Sequence, residues 1–173
     1  MKTADNFQPV APDPAGVGTA LETHNLPRSC ARNTVSRLEV SALEHFYVTC
    51  AQNRVAEGVI LPSGAFALSW FGDTCSHGTY PSLDIFRRIQ AQMSGREIVR
   101  GDGAARRTFY LQRNEDWNGI SGTGIVAVGF DFGNMAVLQW RGENGSTFWY
   151  DSVERVDYVH GHGGRTIVVR VDK

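Results

Sequence analysis

The chain has 173 residues, 42% of them apolar and 20% charged, and a net charge of −1. That length suits one medium domain or two small ones, and the near-zero charge excludes a global field that would select nucleic acid or an anionic membrane. Met1 to Leu21 has no continuous apolar run, so neither a signal peptide nor a membrane span is expected there. Cys30, Cys50 and Cys75 are an odd number with no Cys-x-x-Cys pair, which reads as reduced thiols in a cytoplasmic protein.

Residues 1–36 carry Pro9, Pro12, Pro14 and Pro27 without a hydrophobic period and read as an extended arm. Two β-rich units follow, at 37–104 and 105–173. Val55-Ala56-Glu57-Gly58 aligns with Val126-Ala127-Val128-Gly129. One residue of slack in the next turn then brings Leu68 over Leu138, Trp70 over Trp140, Gly72 over Gly142, Tyr80 over Tyr150 and Ser82 over Ser152. Upstream, Phe46-Tyr47-Val48 matches Phe109-Tyr110-Leu111. A second slip of one residue sets Gly95–Val99 over Gly164–Val168.

In each unit an apolar run turns back at a short loop, Pro62-Ser63-Gly64 or Gly133-Asn134, and returns through Ala65–Trp70 or Met135–Trp140. Short Gly/Asn turns between apolar runs predict hairpins. Period-two alternation puts Phe66, Leu68 and Trp70 on one face, and Ala136, Leu138 and Trp140 on the corresponding one.

A helix is expected next in each unit. Ser82 and Asp151 or Ser152 are N-cap candidates, and Asp151 with Glu154 has capping-box spacing. Leu83, Phe86 and Ile89, like Val153, Val156 and Val159, are spaced to form a buried stripe. Gly161, Gly163 and Gly164 end the second helix, and Thr166–Val171 reads as a final strand buried on both faces. The fold class is α+β: two tandem units, each a hairpin-based antiparallel sheet with one short covering helix, preceded by the arm.

Ile120-Ser121-Gly122-Thr123-Gly124, Ala136–Trp140, Ser146-Thr147, Tyr150-Asp151-Ser152 and Val159-His160-Gly161-His162-Gly163-Gly164 form a pattern in the C-terminal third. It resembles a family of small uncharacterised proteins of actinobacteria, haloarchaea and their phages. The first unit lacks the Ser-Gly-Thr-Gly and His-Gly-His-Gly-Gly blocks. The resemblance implies a phage or mobile-element setting and no particular chemistry.

Candidate chemistry is sparse. His160 and His162 flank Gly161, but a metal site needs a third ligand that the spacing does not supply. Gly119–Gly124 leads into a strand, whereas a phosphate loop opens a helix. Cys75 and His77 sit close on one loop without an orienting group. No catalytic residue, metal or cofactor is expected.

Two binding readings are better supported. Phe148-Trp149-Tyr150 replaces Gly78-Thr79-Tyr80 of the first unit. Alternation sends Phe148 and Tyr150 to one face and Trp149 to the other, so Phe148, Trp149 and the nearby Trp117 are candidates for a protein contact. Residues 87–113 hold seven arginines against Glu97 and Asp102 (7 − 2 = +5), whereas 114–157 hold two arginines against seven acids (2 − 7 = −5). Arg100, Arg106 and Arg107, with Tyr110 stacking on bases, would make a local nucleic-acid site. Alternatively the arginines pair internally with Glu115, Asp116 and Asp131. The expected function is a non-enzymatic protein-binding accessory factor acting on a host defence system in the host cytoplasm. A nucleic-acid binder and a virion structural or decoration protein are the alternatives.

Overall fold

The computed structural model describes residues 41–73, 75–116, 119, 122–142 and 145–171. The arm expected at 1–36 lies outside the described residues. The first sheet is built from β1 (Glu44–Cys50), β2 (Asn53–Ile60), β3 (Phe66–Trp70), β4 (His77–Tyr80) and β5 (Arg96–Arg100), with α1 (Leu83–Gln90) between the last two. A one-turn helix α2 (Ala104–Arg107) leads into the second sheet: β6 (Thr108–Arg113), β7 (Gly124–Asp131), β8 (Ala136–Trp140), β9 (Thr147–Tyr150), the helix α3 (Val153–His160), a 3₁₀ turn over His162–Gly164, and β10 (Thr166–Arg170). Among the described residues no helix is long and apolar enough to cross a membrane.

Both sheets are antiparallel and have the same strand order, β4-β3-β2-β1-β5 and β9-β8-β7-β6-β10. The registers agree residue by residue. Phe46 faces Gly58 and Phe109 faces Gly129, and a bulge follows Val48 in one unit and Leu111 in the other. The β1–β2 turn is Ala51-Gln52, both at positive φ (47° and 68°), the mirror-image hairpin geometry that suits strand twist. The second unit has a longer connection there, since Arg113 pairs with Gly124. The expected slack between β2 and β3 is present. Leu61 N–H donates to Ala65 O across three intervening residues, whereas Phe132 N–H donates to Met135 O across two.

The layers follow from period-two alternation. One face of the first sheet presents Phe46, Val48, Ala56, Phe66 and Leu68 to Leu83 and Phe86 of α1. The same face of the second presents Phe109, Leu111, Ala127, Ala136 and Leu138 to Val153 and Val156 of α3. The opposite faces meet: Val59, Leu61 and Ala67 pack against Phe130, Phe132 and Val137. The result is four layers, helix, sheet, sheet, helix, with three apolar cores. Gly58 and Gly129 show how equivalent positions are filled differently. A Cβ on Gly58 would strike the Phe66 ring, and one on Gly129 would strike the Phe109 ring, because β8 carries Ala136 where β3 carries Phe66. Both backbones are approached so closely that only glycine fits.

Four sequence expectations need correction. Ser82 and Ser152 are the N-caps, accepting from Ile85 N and Arg155 N at 3.2 Å each, so Asp151 does not cap α3. Ile89 and Val159 are 45% and 41% exposed. A spacing of three drifts by about 60° per step on a helix, so the third inward position is taken by Gln90 and His160 instead. The second slip does not occur. Val48 faces Ile98 and Leu111 faces Val168, so Ile98 corresponds to Val168 rather than Ile167. The shared Gly-Arg dipeptide suggested an offset that would have turned every side chain of the strand over. Finally, β10 is an edge strand with Ile167 39% exposed, not a strand buried on both faces.

Leu68 and Leu138 are fully buried at equivalent positions. Leu68→Ala and Leu138→Ala should each cost about 2–5 kcal/mol, since transfer and cavity terms add. Chemical denaturation is the measurement, and a loss below about 0.5 kcal/mol for either would take that residue out of the core.

Candidate functional site

Burying a carboxylate between two sheets requires compensating partners. Glu57, on the inner face of β2, is 3% exposed and occupies the place that Val128 holds in the second unit. Arg107, at the end of α2, grips it in a fork: Nη1 donates to Oε2 and Nη2 to Oε1, both at 2.7 Å. Arg107 Nε donates to Asp131 O at 2.6 Å, and its guanidinium lies 4.8 Å from the Phe130 ring centroid. His45 Nε2 lies 3.2 Å from Glu57 Oε2. Burial acts to raise the Glu57 pKa, but the hydrogen bonds from His45 and Arg107 and the Arg107 charge prevail, holding it below the ordinary carboxylate value. Every oxygen of Glu57 is engaged and shielded, so the cluster acts as a pin between the units.

The pin decides what the arginine strip can do. Arg107 is committed to Glu57, a partner the sequence analysis did not assign to it. Of the acids proposed as internal partners, Asp131 gives Arg107 only its carbonyl, while its carboxylate accepts from Arg170 at 2.9 Å. Glu115 pairs with Arg165 at 3.2 Å, and Asp116 accepts from Gly122 N–H at 2.6 Å. Arg100 makes an exposed contact with Glu44 at 3.5 Å. Arg106 is exposed on α2, and Tyr110 is half-buried on β6.

The aromatic run divides as alternation predicts. Phe148 is 47% exposed. Trp149 turns into the inter-sheet core, stacking on Phe132 (5.6 Å between centroids, 27° between planes) with His77 at 4.7 Å on the first unit's β4. Trp117 lies outside the described residues. Tyr150 Oη is 2.7 Å from His160 Nε2, and Trp140 meets the same imidazole edge-on at 5.0 Å. Burial lowers the His160 pKa, helped by His162 and Arg113, and burial raises that of Tyr150. Both shifts favour the neutral forms, so one hydrogen bond joins a neutral phenol and a neutral imidazole. This pair escaped the sequence reading, although Tyr150 and His160 do sit at the inward ends of their elements.

The remaining candidates are spoken for locally. Cys75 Sγ donates to Gly72 O at 3.1 Å, and His77 packs on Trp149. Among the described residues no three His, Cys, Asp or Glu side chains are grouped to hold a metal. A cleft of about 350 Å³ lies between Pro62-Ser63 and Gln139–Gly142 with Gly145. Its central amide, Gln139, accepts from Ser63 N–H at 2.9 Å and donates to Ser63 Oγ at 2.7 Å and Thr147 Oγ1 at 3.1 Å.

Comparison with known proteins gives one family. The model of the Acb5 phage protein matches residues 52–102 and 106–172, one segment on each structural unit. No curated protein and no solved structure matches the chain.

Arg107→Ala should destabilise by about 3 kcal/mol, because it leaves a buried carboxylate without its main partner. Replacing the pair together, Glu57→Val with Arg107→Leu, should come close to wild-type stability in the same denaturation experiment. The Glu57 contribution is present above the ordinary carboxylate pKa and is lost as pH falls through the lower folded value. A wild type whose acid limb matches that of the double variant would contradict the pin.

His160 gives a second pH signature. Its folded pKa is depressed, so the unfolded chain takes up a proton first, and stability falls as pH drops below the ordinary imidazole value. His160→Gln, the residue found at the equivalent Gln90, should flatten that segment of the stability–pH curve. An unchanged slope would assign it to another group.

Proposed function

The chain belongs to the Acb5 phage protein family, and from that premise we propose that it is a phage-encoded accessory factor that binds a host protein without catalysing a reaction. The host protein in this reading is part of a defence system, and the encounter takes place in the host cytoplasm. One observation carries the choice of a protein partner. The second unit displays large aromatics where the first has none: Phe148 stands at the position of Gly78 and is 47% exposed, and Tyr158 stands at the position of Arg88 and is 79% exposed. Exposed aromatic side chains supply the energetically dominant contacts of protein interfaces. Trp149 supports this surface from beneath by anchoring β9 in the core between the sheets.

The test is capture from the phage's native host with tagged full-length protein, followed by reconstitution of the complex with the purified partner. Phe148→Asp and Tyr158→Asp should weaken that complex about tenfold or more while leaving the thermal melt unchanged. Undiminished binding by both variants would remove these aromatics from the interface. Loss of binding with Arg100→Glu and Arg106→Glu instead, accompanied by a strongly salt-dependent nucleic-acid shift, would favour the nucleic-acid reading.

A further inference from the structure

The two covering helices end at equivalent places with different chemistry. Gln90 is the last residue of α1 and His160 the last of α3. In the first unit the arginine beside the helix end is Arg96 on β5. Its Nη1 donates to Gln90 Oε1 at 2.6 Å, and its guanidinium lies 4.9 Å from the Trp70 ring centroid. That cation has its acceptor within its own unit.

In the second unit the arginine stands one strand further in. Thr166 occupies the place of Arg96, and Arg113, across from it on β6, the place of Cys50. Leu111 and Val168 face α3, so alternation sends Arg113 and Thr166 to the same side. The backbone ties this spot to the helix end, since Thr166 N–H donates to Gly161 O at 3.1 Å. No side-chain carbonyl is present there to receive the guanidinium. His160 engages Tyr150 through Nε2, and among the described residues its Nδ1 has no protein partner.

Three further observations agree that an acceptor is missing. Arg113 is half-buried, and the ion pairs of the described residues do not include it. The Thr166 hydroxyl is buried with no hydrogen-bond partner, whereas most buried polar groups have one. Besides burial, what holds His160 neutral is the charge of His162 and Arg113, and no carboxylate offsets them. Glu115, two residues beyond Arg113, is taken by Arg165.

We propose that Arg113, His160 and His162 bind a phosphate group at the end of α3, beside the strands β6 and β10. The Arg113 guanidinium donates a forked pair of bonds to two phosphate oxygens. Tyr150 donates to His160 Nε2, which places the imidazole proton on Nδ1 for a third oxygen. His162 forms the outer side, and the Thr166 hydroxyl lies beneath Arg113. Donors that converge from a strand, a helix end and a turn suit a tetrahedral oxyanion. A planar carboxylate would be saturated by the arginine fork alone. The bound anion also relieves the repulsion among the three groups.

The test is titration of the full chain with inorganic phosphate at constant pH and ionic strength, read by nuclear magnetic resonance of the imidazoles. The His160 and His162 signals should shift and saturate, while His45, His77 and the Gln90 amide stay in place. Acetate at the same concentrations should move none of them. Arg113→Gln should weaken phosphate binding about tenfold or more, and Arg113→Lys by less, with the thermal melt retained. Should Arg113→Gln fail to fold, His162→Asn, at an exposed position, should still weaken binding. Phenyl phosphate separates two sources of the group. Tighter binding than inorganic phosphate assigns the site to the phosphate of a larger ligand, and equal or lower affinity assigns it to the free ion. Shifts that do not saturate, equal shifts with acetate, or undiminished phosphate binding by the folded variants would overturn the proposal.

Discussion

The Glu57 carboxylate sits between two sheets whose contact is mostly aliphatic and aromatic, with the Ser63–Gln139 hydrogen bonds at its margin, and among the described residues its forked counter-charge comes from Arg107 on the other unit. An uncompensated charge in that place would be costly, so the seam can close only in the arrangement that delivers the guanidinium. Val59, Leu61 and Ala67 against Phe130, Phe132 and Val137 provide contact area, but apolar contact is indifferent to small slides. The forked ion pair, with Asp131 O as its third anchor, is directional. It sets the position in which the sheets stack and takes one arginine out of an otherwise basic stretch.

The two units share a plan and diverge where they meet other surfaces. Toward the helices, each glycine at the centre of the second strand is overlain by one phenylalanine, supplied by β3 in one unit and β6 in the other. At the seam, Glu57 answers to Val128 and Ala67 to Val137, so the inner faces are complementary without being identical. At the periphery, Gly78 becomes Phe148 and the charged edge β5 becomes the apolar edge β10. The peripheral differences include the exposed Phe148 on β9, where the host contact is proposed.

Much of the fold was legible because local chemistry determines it. Short turns at Pro62–Gly64 and Gly133-Asn134 set the hairpins, and alternation assigned Trp149 to the face opposite Phe148 and Tyr150. Local pattern failed where geometry accumulates error. A spacing of three drifted off the helix stripe by Ile89 and Val159, and a repeated Gly-Arg dipeptide shifted β10 by one residue. The Glu57–Arg107 pair was illegible for a different reason. Its members are 50 residues apart and meet only because two surfaces distant along the chain stack, which no periodicity encodes. For the same reason the destination of Trp149, against Phe132 and His77, could not be read although its face could.

If the seam holds the two units as one cooperative body, they cannot unfold separately. Native-state hydrogen exchange in increasing denaturant tests this most directly, through the amides of Leu68 in β3 and Leu138 in β8, both at fully buried positions. The account predicts that the two amides open with the same free energy and the same denaturant dependence, as members of a single cooperative unit do. Opening of one sheet at a distinctly lower free energy, with the other still protected, would contradict it.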